Sequence, residues 1–105
     1  MVGARRILVI EDDAETADQL VDCLQTSGFS VDLAADGEDG LERARSADYV
    51  VMTVDRMLPG IDGIEVIRRL RDEGVMTPAL ILSALGEVDD RVRGLRAGGF
   101  LETIF

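Results

Sequence analysis

The chain has no histidine, no lysine and a single cysteine among its 105 residues. Without histidine, most hydrolase triads and most zinc sites are excluded. A lone cysteine rules out an internal disulfide and fits a reducing compartment. Cys23 sits inside a helical apolar pattern with no histidine to act as its base, so it reads as a structural thiol rather than a nucleophile. No apolar run approaches the ~18 residues of a membrane span. The opening "MVGARRILVI" is too short in its apolar part for a signal peptide and runs straight into acids. A cytoplasmic protein without membrane contact is the expectation. All 11 basic residues are arginine, set against 21 acids, for a net charge of −10. That balance disfavours direct contact with nucleic acid.

What is present is a regular alternation of elements within one domain, residues 1–105, long enough for a single core. Ile7 to Ile10 is a short β-branched run of the kind buried on both sheet faces. Ala17, Leu20, Val21 and Leu24 recur at helical spacing, so Ala14 to Ser27 is predicted as an amphipathic helix closed by Gly28. Val31 and Leu33 alternate with polar neighbours, as on an edge strand. A weaker helix is expected around Glu38 to Arg45, and a buried strand over Tyr49 to Val54. Ile64, Val66, Ile67 and Leu70 mark a third helix. Pro78 opens a strand over Ala79 to Leu82, and Val88, Val92 and Leu95 mark a fourth helix. Phe100 to Phe105 is the last apolar run.

This order predicts an α/β, flavodoxin-like, doubly wound sheet of five parallel strands in the order 2-1-3-4-5. Ligands of such sheets bind beyond the carboxyl ends of the strands, where the winding switches between strands one and three. Glu11, Asp12 and Asp13 follow the first strand, Asp55 follows the third and Ser83 the fourth. Adjacent strands lie ~4.8 Å apart, so carboxylates on strands one and three should converge. Like charges so close raise each other's pKa unless a cation compensates. With no lysine or histidine in the chain, oxygen-only ligands point to Mg²⁺ or Mn²⁺. Asp12 or Asp13 could alternatively serve as a helix cap. Asp55 has no helix immediately after it to cap, because the Leu58-Pro59-Gly60 turn intervenes.

The segments "ILVIEDD", "VDRMLPGIDG", "LILSA" and "RVRGLRAG" together resemble the receiver domain of two-component response regulators, the last resembling the winged-helix transcription-factor branch most. The resemblance implies that Asp55 accepts a phosphoryl group from a sensor histidine kinase or phosphotransfer protein. It implies that Asp12 ligates Mg²⁺ directly, Glu11 through water, and Asp55 and the Met57 carbonyl complete the protein's share. Ser83 then matches the hydroxyl residue that bonds the phosphoryl group, and Phe100 the aromatic that changes rotamer with it. Such a domain is a phosphoacceptor switch rather than an enzyme, and homodimerisation is expected.

The C-terminal end departs from that family. "GGFLETIF" puts Thr103 where the family has a lysine, and a fifth helix and an output domain are not expected within these 105 residues. Two readings follow: a working phosphoacceptor, or a pseudo-receiver that serves as an interaction module with little response to phosphate. A Mg²⁺-dependent phosphohydrolase is disfavoured, since an aspartate-nucleophile phosphatase wants a second Asp two residues after the first, where Met57 stands.

Overall fold

The computed structural model describes residues 5–82 and the backbone of residues 102–104. Within them the order is β1 (Arg6–Ile10), α1 (Ala14–Thr26), β2 (Ser30–Ala34), α2 (Gly37–Ser46), β3 (Val51–Asp55), α3 (Gly63–Asp72), β4 (Ala79–Leu82) and β5 (Glu102–Ile104). The segments expected to form the fourth helix, together with Ser83 and Phe100, lie outside the described residues.

Strands β2, β1, β3 and β4 are parallel and adjacent in that order. Alternation along each strand divides the core in two. Leu8, Ile10, Met52, Val54, Ala79 and Ile81 face one way, against Leu41 and Ala44 of α2 and Val66, Ile67 and Leu70 of α3. Ile7, Val9 and Leu82 face the other way, against Leu20 of α1. Fully burying side chains of this size stabilises the fold by about 1.5–3 kcal/mol each. The surface ion pairs, such as Arg45 with Glu73 at 2.6 Å, contribute little by comparison.

Each described helix starts on an aspartate. Asp13, Asp36 and Asp62 accept hydrogen bonds from the backbone N–H three residues on, satisfying donors that the helix itself leaves open. Gly28 at φ +97° and Gly74 at φ +83° follow α1 and α3 in the left-handed conformation that ends a helix.

Two expectations change. The third strand begins at Val51 rather than Tyr49 and includes Asp55. Tyr49 is drawn out of the ladder because its ring packs in the α2–α3 core and its hydroxyl donates to Asp32 Oδ2 at 2.7 Å. Residues 102–104 run antiparallel to β4, with Thr103 opposite Leu80, where a parallel strand over Phe100 to Phe105 was expected. An edge strand has one partner only, so nothing else in the sheet dictates its direction, and antiparallel pairing is slightly the more stable. Leu82 and Thr53 on the α1 face are 1% and 2% exposed, while Val51 and Leu80 are half-buried.

Two side chains make this core testable. Thr53 Oγ1 is buried with no hydrogen-bond partner among the described residues, a loss of solvation that nothing offsets. Thr53→Val should therefore raise the unfolding free energy by about 1 kcal/mol in denaturant titrations. Burial, then the bond to Asp32, pushes the Tyr49 hydroxyl from 10.0 up to about 12. Below pH 10 both folded and unfolded states keep this proton. Between pH 10 and about 12 only the unfolded state releases it, so stability should fall as pH rises through that window. Tyr49 is the sole tyrosine and tryptophan is absent, so near-ultraviolet absorbance of the folded protein reads this titration directly.

Candidate functional site

The β1–β3 ladder pairs Ile7 with Val51 and Ile10 with Val54. One step further along the same two strands come Glu11 and Asp55. Both are buried, at 2% and 6% exposure, while Asp12 is exposed. A carboxylate oxygen from each of Glu11, Asp12 and Asp55 lies within 4.8 Å of the other two. The sequence-predicted acid cluster is thus assembled by strand pairing, at the carboxyl end of the sheet where the winding direction switches.

The three consecutive acids divide their work. Asp13 is the α1 cap, accepting from the Thr16 N–H at 2.9 Å and the Thr16 hydroxyl at 2.6 Å. Glu11 Oε2 accepts from the Asp13 N–H at 3.2 Å, which orients it within the cluster. Asp12 projects from the loop toward solvent. The question of which aspartate caps the helix is settled by backbone conformation: Asp13 is extended at φ −82°, ψ 115° with its oxygen over the first turn.

Asp55 is held from both sides. Its Oδ1 accepts from the Met57 N–H at 3.2 Å. The next amide, Arg56 N–H, donates to the Leu82 carbonyl of β4 at 3.3 Å, and the Arg56 carbonyl accepts from the Gly63 N–H at 3.0 Å. Between these points the chain turns through Pro59 and Gly60, the latter at φ +79°, a conformation that glycine adopts without strain. Leu58 is 8% exposed and anchors the loop in the α2–α3 core. The Met57 side chain is 67% exposed beside the cluster. Ser83 and Phe100 are not among the described residues, and Thr103 is described by its backbone alone.

The donor set is all oxygen, two-thirds buried and open to water through Asp12, which suits a hard divalent cation that keeps part of its hydration. Glu11, Asp12 and Asp55 are the residues that would hold it.

Residues 7–101 match the profile of the response regulator receiver domain. The chain belongs to that family. Transcriptional regulatory protein TcrA of Mycobacterium tuberculosis is 44% identical over 97 residues, covering 92% of this chain and 38% of TcrA. The probable transcriptional regulatory protein SilR of Salmonella typhimurium is 42% identical over 93 residues, covering 89% of this chain and 41% of SilR. The receiver domain thus spans about two-fifths of the length of the curated relatives it matches. Among solved structures, the Francisella response regulator 1452 receiver domain superposes with a TM-score of 0.74 at 32% identity, covering 90% of this chain and 78% of that one. The chemotaxis protein CheY4 of Vibrio cholerae gives 0.74 at 25% identity, covering 92% and 82%. As a receiver domain the chain is a signalling switch of the α/β class, not a conventional enzyme. No helix among the described residues is long and apolar enough to cross a membrane.

The sequence reading missed Gly63, whose contact with Asp55 is taken up below. Its signal was the repeated Asp-Gly pair, at Asp36-Gly37 and Asp62-Gly63, each a helix cap followed by a first-turn glycine. The metal assignment is tested by calorimetry. Mg²⁺ should bind the wild type, and Asp12→Ala should weaken it roughly tenfold or more.

Proposed function

We propose that this receiver domain accepts a phosphoryl group on Asp55 from a phosphohistidine of a sensor kinase or phosphotransfer protein, in the cytoplasm, and changes conformation in response. The observation that carries this reading is the buried Asp55 carboxylate at the strand end, within 4.8 Å of oxygens from Glu11 and Asp12.

On this reading the residues take the following roles. Asp55 Oδ1 is engaged by the Met57 amide, so the carboxylate offers its second oxygen as the nucleophile. That oxygen attacks phosphorus in line with the phosphorus–nitrogen bond of the donor. The new oxygen–phosphorus bond forms as the bonding pair of the old one leaves with the imidazole nitrogen. The Met57 N–H holds the carboxylate in one orientation during the attack, which favours a single direction of approach. A divalent cation bound by Glu11, Asp12 and Asp55, with the Met57 carbonyl as a further ligand, would supply charge neutralisation for the transferred group. Ser83 is assigned the hydroxyl that bonds the product, and Phe100 the aromatic that follows it. The named relatives are transcriptional regulators, so control of transcription through a partner or further domain is the output we assign. We assign no nucleic-acid contact to residues 1–105 themselves, and a homodimer is the assembly proposed for the phosphorylated state.

A second reading, the pseudo-receiver, is favoured by one observation. Thr103, which the resemblance aligns with the family's lysine, pairs through its backbone with Leu80, whereas Asp55 pairs with Leu82. The position is thus two rows, about 6.6 Å, down the sheet from Asp55. On this register the position is badly placed to supply a cation.

The test is incubation with a small acyl-phosphate donor and Mg²⁺, followed by intact mass and peptide mapping. The wild type should gain one phosphoryl group on Asp55, and Asp55→Asn should gain none. No adduct on the wild type would favour the pseudo-receiver, and a label on Asp12 or Asp13 would overturn the assignment. Thr103→Lys should leave the yield within about twofold on the register described, where a lysine is two rows away. A large rise would instead support a parallel fifth strand.

A further inference from the structure

Gly63, the first residue of α3, is buried and lies against the backbone that carries Asp55. A Cβ built on Gly63 would sit 2.4 Å from the Asp55 carbonyl oxygen, 2.9 Å from Val54 Cγ1 and 3.1 Å from the Arg56 α-carbon. Ordinary van der Waals contact begins near 3.4 Å, and two of these three neighbours are main chain. A side chain here cannot be absorbed by a rotamer change. Either α3 or the end of β3 has to move.

Two hydrogen bonds convert this close seat into a clamp. The Gly63 N–H donates to the Arg56 carbonyl at 3.0 Å, and the Arg56 N–H donates to the Leu82 carbonyl at 3.3 Å. Residues 55–57 are therefore held between β4 on one side and the start of α3 on the other. The Met57 N–H that orients the Asp55 carboxylate belongs to the same three residues. Asp62 fixes α3 itself by capping the Glu65 N–H at 3.0 Å.

We propose that Gly63 is a positioning residue: its bare α-carbon seats α3 on the Asp55 peptide, and that seat sets the Asp55 carboxylate and the Met57 segment relative to Glu11 and Asp12. The inference rests on the metal-binding reading of the carboxylate cluster. It concerns the second layer behind that cluster, which contributes no ligand.

Gly40 provides an internal control. A Cβ there would meet Ile10 Cδ1 at 2.6 Å, with the other near atoms also on the Ile10 side chain. Both glycines are tightly packed, but Gly40 presses on the Ile10 side chain and Gly63 on the Asp55 main chain. Gly63→Ala and Gly40→Ala are compared by thermal unfolding and by Mg²⁺ calorimetry. Gly63→Ala should weaken Mg²⁺ binding roughly tenfold, as loss of other supporting contacts does. Gly40→Ala should change it by less than about twofold, whatever its loss of melting temperature. Wild-type affinity in Gly63→Ala, or a loss in both variants that merely follows stability, would overturn the proposal. Should Gly63→Ala not fold, amide exchange in the wild type decides. Mg²⁺ should slow exchange of the Gly63 N–H and leave Gly40, bonded to the Asp36 carbonyl, unchanged. No slowing at Gly63 in a protein that binds Mg²⁺ would refute this inference alone. A wild type that binds no Mg²⁺ would remove the reading of the cluster, and this inference with it.

Discussion

Parallel pairing of β1 with β3 forces Glu11 and Asp55 into adjacent buried positions, and much of the local structure serves to make that tolerable. Two carboxylates side by side repel one another. The ladder holds them there because the four preceding rows, from Ile7 with Val51 to Ile10 with Val54, are closed by apolar layers on both faces. Slipping the register by one residue would send each side chain to the opposite apolar layer, mismatching the packing on both faces. The sheet therefore holds the two carboxylates together at the end where the proposed cation would bind.

Five of the described arginines are ion-paired with acids outside the cluster. Arg6 pairs with Asp32, Arg43 with Asp39, Arg45 with Glu73, and Arg68 and Arg69 with Glu65. Most of these pairs run along or between helices on the α2–α3 side. Bonds from Arg69 and then Arg68 hold the Glu65 carboxyl below its usual range, close to the start of α3, where negative charge also suits the helix dipole. Four of these five arginines thus brace helices rather than the carboxylate cluster.

Much of this arrangement could be read from the sequence, because it depends on periodicity and on where apolar runs stop. Asp55 was identifiable as a strand-terminal carboxylate followed by a Pro-Gly turn, and Glu11 and Asp12 as its partners across the winding switch. The rest depended on distances that composition does not encode. Asp12 and Asp13 are the same residue type in sequence, and only backbone angles assign the cap to Asp13. Tyr49 has the ring of a strand residue, but its hydrogen bond to Asp32, 17 positions away, takes it below the ladder. Gly63 looked like turn punctuation, whereas its role comes from contact with a carbonyl eight residues earlier. The direction of β5 was illegible for a different reason: a short apolar edge segment pairs acceptably either way.

The placement of Tyr49 has an optical consequence. It is the chain's only tyrosine, no tryptophan is present, and it precedes β3 while Asp55 ends that strand. The two are six positions apart, at most about 20 Å along the chain. Ultraviolet emission from this protein therefore originates at the far edge of the sheet and registers whether the core is intact. Occupancy at the carboxylate end is spectroscopically dark. A tryptophan placed on the exposed Met57 would bring a chromophore to that end.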